Sequence, residues 1–171
     1  MTVTGTTAAE KIIGRLAEQL AQLSSQRAEI EAEILTVVDA HPLTQVLTSM
    51  PGVGVRTAAR ILTEVVGKNF KDAAHLASYA GIAPVTRRSG TSIRGESPSR
   101  RGNKTLKRAL FLSAFASINA SPASRAYYDR KRAEGKKHNA ALICLARRRC
   151  DVLYAMLKHS EPYRTPIASA A

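Results

Sequence analysis

Leu43-Thr-Gln-Val-Leu-Thr-Ser-Met50-Pro51-Gly52-Val53-Gly54-Val55-Arg56-Thr57-Ala58-Ala59-Arg60-Ile61-Leu62-Thr63-Glu64-Val65-Val66 holds two runs of helical spacing with a glycine turn between them. Leu43 to Met50 suits a helix and Pro51 to Gly54 a tight turn. Val55 to Val66 then resumes helical spacing through Ala58, Ala59, Ile61, Leu62 and Val65. Helix, Gly-apolar-Gly turn, helix is a helix-hairpin-helix pattern. Glycine lets a backbone come close to a phosphate, and the first turn of the following helix offers unpaired N–H groups. Gly52, Gly54, Arg56 and Thr57 are therefore the expected DNA contacts of this element, made to the backbone rather than to base edges. A plain turn between two packed helices needs the same two glycines, so the spacing serves either use.

Upstream, Ile13, Leu16, Leu20, Leu23, Arg27, Ile30, Ile34 and Val37 fall at alternating spacings of three and four, a heptad seam. Glu18, Gln19, Gln22, Glu29, Glu31 and Glu33 flank it. The pattern suits a coiled coil that joins copies of the chain through residues 8–40, and equally an amphipathic helix lying on its own domain. Arg27 on the seam weakens a continuous coil or sets its register. His41-Pro42 ends the element, because the residue before proline is pushed out of the helical region.

Downstream, Gly67 ends the second helix of the hairpin, and Asp72 opens another through Leu76 and Tyr79, closed by Gly81. Pro84 to Gly102 is the least regular stretch and reads as a Ser/Pro/Arg loop, with Asn103 as the next N-cap. From Arg87 to Arg108 there are eight basic residues and one acid, Glu96, a composition suited to phosphate. Leu106, Ala109, Leu110, Ser113 and Ala116 mark a further helix. Ser121-Pro122 is an N-cap with proline behind it, opening a helix that stops at Gly135. The last helix runs from about His138 to Lys158, with Leu142, Leu145, Val152 and Met156 facing inward. Arg147, Arg148 and Arg149 are expected on its surface, as a solvated or nucleic-acid-facing patch. The expected fold is mostly α: a coiled-coil-like helix over residues 1–42, a compact helical domain with the helix-hairpin-helix over 43–158, and a flexible tail over 159–171.

Composition narrows the function. The 171 residues carry 26 Lys+Arg against 13 Asp+Glu, a net charge of +13. Residues 1–50 hold three basic and six acidic side chains, and the rest carries +16. An acidic first segment on a strongly basic body suits double-stranded DNA as partner. A hydrophobic fraction of 44% excludes wholesale disorder. No apolar run is long enough for a membrane span, and the start lacks a signal-peptide pattern, so a cytoplasmic protein is expected. Cys144 and Cys150 make neither a disulfide framework nor a metal cluster. The seven acids after residue 50 form no close pair, and the four histidines are dispersed. What remains is a serine beside arginines, whose guanidinium groups can neutralise a phosphodiester.

Leu47-Thr-Ser-Met-Pro51-Gly-Val-Gly54, Tyr79-Ala-Gly-Ile-Ala-Pro84, Arg88-Ser-Gly-Thr-Ser-Ile-Arg-Gly95 and Ser99-Arg-Arg-Gly-Asn103 stand in order along the chain. Arg125-Ala-Tyr-Tyr-Asp129 and Gly135-Lys-Lys137 follow. Together they resemble the C-terminal transposase domain of the insertion-sequence one-ten family over residues 43–158, and residues 8–40 resemble the coiled coil that precedes it. The resemblance implies serine-dependent transposition, in which the serine of a Ser-Gly motif attacks DNA and forms a phosphoserine link. It also implies that a structured bridge RNA can choose donor and target, and that a RuvC-like domain supplies an acidic metal cluster. Carried onto this chain, the nucleophile is Ser89, followed by Gly90, with Arg87, Arg88 and Arg94 in support. Ser92 and Ser99 are lesser candidates, and Arg100, Arg101 and Lys104 join the DNA contacts. No metal ligands or cofactor are expected here; a divalent metal is expected only with a RuvC-like partner domain. Without one, the chain is expected to be a truncated remnant, the product of a wrongly assigned start, or a separately made half that needs a partner, and inactive alone. The alternative is a helix-hairpin-helix DNA-binding protein with no chemistry.

Overall fold

The computed structural model describes residues 6–89, 93–98 and 101–165, with the side chains of 6–8 and 85–98 excepted. The chain divides into two compact units, Met1–Val37 and Val38–Ala171. Helix α1, Thr6–Asp39, makes up the first and runs just past its boundary. Its apolar row is exposed, from Ile13, Leu16, Leu20 and Leu23 to Ile30, Ile34 and Val37. Arg27, on that row, pairs at 3.0 Å with Glu31 one turn on.

The second unit is mostly helical, as the sequence predicts. It holds α2 (Pro42–Thr48), α3 (Val55–Val65), α4 (Ala73–Tyr79), β1 (Pro84–Ser89), β2 (Ile93–Pro98), α5 (Lys104–Ala120), α6 (Pro122–Ala133) and α7 (His138–His159). Side-chain caps start several of these helices. The Leu43 N–H donates to His41 Nδ1 at 3.2 Å, the His75 N–H to Asp72 Oδ1 at 2.7 Å, the Leu106 N–H to Asn103 Oδ1 at 2.8 Å and the Ser124 N–H to Ser121 Oγ at 3.3 Å. Pro42 and Pro122 occupy first-turn positions, where proline removes no helical bond.

Helix α5 packs against α3, α6 and α7, and α7 also packs against α2, α4 and α6. Between them lie Leu47, Ile61, Leu76, Leu106, Leu142, Leu145 and Leu153, all fully buried. Each such side chain contributes about 1.5–3 kcal/mol of burial. Beyond α7, the Tyr163 N–H donates to Ser49 Oγ at 2.8 Å, so residue 163 is held to the end of α2. Among the described residues no helix is long and apolar enough to cross a membrane.

The stretch expected to be an irregular loop is a β-ribbon instead. β1 and β2 pair antiparallel, with Val85 opposite Ser97, Arg87 opposite Gly95, Arg88 opposite Arg94 and Ser89 opposite Ile93. The charge density hid this, because a strand is usually recognised by apolar alternation and this one has little. Val85, Thr86 and Ile93 still supply β-branched residues that suit extended backbone.

Candidate nucleic-acid interface

The ribbon leaves and re-enters the helical unit at one point. The Asn103 N–H donates to the Tyr79 carbonyl at 2.7 Å, joining the end of α4 to the start of α5. Gly81 and Gly102 lie back to back there, both with positive φ. A Cβ on Gly102 would come within 2.5 Å of Gly81 N and 2.8 Å of the Tyr79 carbonyl oxygen. Only glycine at both places lets the two ends of the excursion approach so closely.

A polar cluster locks this base. Asn103 Nδ2 donates to Glu64 Oε2 and, at 3.0 Å, to the Tyr79 hydroxyl. Lys68 Nζ donates to the same hydroxyl at 2.8 Å and to the Glu64 carbonyl at 2.8 Å. The Tyr79 hydroxyl, and Glu64 after it, hold the Lys68 ammonium above its ordinary pKa. Three helices thus fix one joint: α3 through Glu64, α4 through Tyr79 and α5 through its N-cap. Neither Glu64 nor Tyr79 carries a polar signal of its own in the sequence. Tyr79-Ala-Gly and Gly-Asn103 were the available signal, as two glycines flanking a charged excursion.

Ser89 is the last residue of β1. The strand period of two sets it on the same face of the ribbon as Arg87, whereas the paired Arg88 and Arg94 are on the other face. Gly90, Ser92, Ser99 and Arg100 lie outside the described residues. Arg101 and Lys104 are exposed at the ribbon base and the first turn of α5.

The turn from Met50 to Gly54 stands elsewhere on α5. Gly52, at φ +81°, lies against the α5 backbone, where a Cβ would be 2.6 Å from both the Ser113 carbonyl oxygen and the Ser117 nitrogen. Packing alone therefore demands glycine at this position. Gly54 differs: it is exposed, has φ −92°, and a Cβ there would meet nothing within 4 Å. The Thr57 and Ala58 N–H groups both donate to its carbonyl at 2.9 Å. Arg56 is exposed and Thr57 half-buried. The two groups of expected DNA contacts are not one cluster: from Lys104 to Ser113 is about 14 Å along the helix, at 1.5 Å per residue.

Arg149 departs most from expectation. It is only 6% exposed, rather than solvated like its neighbour Arg148. Leu142, Leu145, Arg149, Leu153 and Met156 follow three-and-four spacing, which turns position 149 into the core. Arg149 Nη2 donates to the Pro51 carbonyl at 2.6 Å and to Ser113 Oγ at 2.7 Å, fastening the glycine turn to α5. That same spacing was the signal the run of three arginines obscured.

Residues 44–129 match the profile of the transposase IS116/IS110/IS902 family. The chain belongs to this family. The match runs from α2 through the ribbon into α6, so it includes both the glycine turn and Ser89. An insertion element IS110 protein of 43.6 kDa from Streptomyces coelicolor is 56% identical over 164 residues, covering 95% of this chain and 40% of that protein. An IS900 protein of 42 kDa from Mycobacterium paratuberculosis is 40% identical over 99% of this chain and 43% of its own length. A pilin gene-inverting protein of Moraxella bovis is 34% identical over 68% of this chain and 37% of its own. The chain thus spans about two fifths of the length of these family members.

Among the described residues, no three or more His, Cys, Asp or Glu side chains gather to hold a metal ion.

Proposed function

We propose that this stretch is the DNA-engaging, serine-bearing part of an insertion-sequence transposase. The observation that carries the proposal is the anchored ribbon: Ser89 ends β1 on the same face as Arg87, on a base closed by Gly81 and Gly102. In the step proposed, Ser89 Oγ bonds to a backbone phosphorus and a deoxyribose oxygen leaves with the electron pair of the broken bond. Arg87, on the Ser89 face of the ribbon, offsets the developing charge, whereas Arg88 and Arg94 fall on the other face and serve neighbouring phosphates; a guanidinium stays protonated and cannot take the serine proton. The proton acceptor, and the acidic ligands of any divalent metal, are sought in a RuvC-like domain outside the described residues. A structured guide RNA is a second polyanionic partner under this proposal, and the protein works in the cytoplasm.

DNA is engaged mainly through phosphates, by the turn at Gly54, Arg56 and Thr57 and by Arg101 and Lys104. Duplex binding is expected to be largely independent of sequence and to fall steeply with salt, with a log–log slope of about −0.9 per phosphate neutralised. Gly54→Val leaves the helical fold intact, since open space surrounds the position, yet weakens binding to all sequences alike. Fluorescence anisotropy on several duplexes across a salt series measures this; equal affinity at low and high salt would defeat the electrostatic basis.

The exposed apolar row of α1 is proposed to pair with a second copy of the chain. An unpaired row of seven large apolar residues, from Ile13 to Val37, is an association surface rather than a stable solvent face. Sedimentation of a chain beginning near His41 is expected to give a monomer where the longer chain assembles. An unchanged mass would rule the pairing out.

A further inference from the structure

Like charges on a solvated helix face keep apart, but three cations of this protein meet at one aromatic ring. Tyr127, half-buried on α6, has Arg130 at 5.0 Å and Lys131 at 5.6 Å from its ring centre, one turn further along the same helix. Arg148 comes from α7, packed alongside, and its guanidinium stands 4.9 Å from the same ring centre. Two helices thus deliver charge to one place, which a run of basic residues along a single helix does not do. The π electrons of the ring attract cations, by about 0.5–1 kcal/mol at an exposed site.

Carboxylates do not discharge this cluster. Glu134 serves two of its members, pairing with Lys131 at 2.7 Å and with Arg130 at 4.0 Å. Such exposed pairs contribute about 0–1 kcal/mol and yield to a stronger anion. Asp129 is paired with Arg125 at 3.1 Å, and Asp151 with Arg147. The Arg148 guanidinium is exposed and has no ion pair among the described residues. From Pro122 to Lys137 the chain carries six basic side chains against two acidic ones, so the surplus runs on to Arg132, Lys136 and Lys137, all exposed.

The cluster also adjoins the glycine turn. Tyr127, Arg148 and Met50, where the turn begins, line one small cleft. The next residue of α7, Arg149, holds the Pro51 carbonyl at 2.6 Å. No two of the three charges stand more than about 11 Å apart, since each lies within 5.6 Å of the ring centre. That is the span of about three phosphates of one strand, at about 3.4 Å of duplex axis each.

We propose that the Tyr127 cluster is a contact surface for the phosphate backbone of duplex DNA, beside the glycine turn and separate from the ribbon base. The duplex as partner rests on the DNA-binding function proposed above. Arg130 and Arg148 each neutralise a phosphate, and Lys131 exchanges Glu134 for a third. Tyr127 holds the cations where they are needed, which lowers the ordering cost of binding.

The test is fluorescence anisotropy of the full chain with a labelled duplex across a salt series. Arg130→Gln combined with Arg148→Gln is expected to lower the log–log salt slope by about 1.8 and the affinity about 30-fold near physiological salt, the loss of two phosphate contacts. Lys11→Gln combined with Arg15→Gln removes the same charge from exposed positions of α1 and is expected to leave the slope as it is. Tyr127→Leu keeps every charge but frees the side chains, so affinity should fall about three- to tenfold with the slope kept. Tyr127→Phe retains a ring and should bind as the parent does. Circular dichroism checks the fold, and the glutamine pair, at exposed positions, decides the question even where Tyr127→Leu unfolds. A glutamine pair that loses no more slope than the α1 pair would overturn the surface while leaving DNA binding intact. Slope lost on a folded RNA of equal length but kept on the duplex would overturn DNA as the partner. A parent chain that binds no duplex at any salt would instead sink the proposed function, and this surface with it.

Discussion

Gly52→Ala is expected to cost the helical unit about 3–5 kcal/mol of unfolding free energy, while Gly54→Ala, two residues on, changes it by less than about 1 kcal/mol. Two effects add at Gly52. Its φ of +81° is a conformation that costs an L-residue about 1–2 kcal/mol. The new Cβ would also stand 2.6 Å from two backbone atoms of α5 and 3.0 Å from the Ser117 Cα, none of which can swing aside as a side-chain tip can. Either α5 shifts or the turn does, and α5 also packs on α3, α6 and α7. A loss of this size is a large share of the 5–15 kcal/mol that holds a typical domain folded. Gly54 has an ordinary φ of −92° and open space around it. Urea unfolding followed by circular dichroism of the three proteins measures the contrast. A Gly52→Ala protein within about 1 kcal/mol of the parent would show that the turn does not depend on this approach.

Ser89→Ala is expected to abolish any covalent protein–DNA link, a loss of at least about a thousandfold for removal of a nucleophile. The residues described here are expected to bind DNA without cutting it, because a serine hydroxyl needs a base and arginine offers none. Supplying a RuvC-like domain with a divalent metal is the condition under which the link should appear. Denaturing electrophoresis of labelled DNA reads the adduct directly. Adduct that survives in Ser89→Ala would remove Ser89 from the mechanism, and adduct formed without the added domain would mean that the acceptor already lies within this chain. Folding does not confuse the result, since Ala in place of Ser at the end of β1 removes one hydroxyl and leaves the helical core untouched.

The sequence by itself determined the helices, their ends and the family. These rest on interactions within a few residues: heptad spacing in α1, the Asp72, Asn103 and Ser121 caps, and the prolines that open α2 and α6. Such signals are local, so a one-dimensional pattern carries them. Only the tertiary structure decided what the special residues do. Gly52 serves packing because Ser113 and Ser117 stand against it. Arg149 is a buried strut because Pro51 and Ser113, 98 and 36 positions away, accept its hydrogen bonds. The charged stretch becomes a ribbon because Gly81 and Gly102 bring its ends together, under a polar joint drawn from three helices. Contacts across such separations depend on how the helices pack, and neither composition nor spacing encodes that packing at the single residue where it matters.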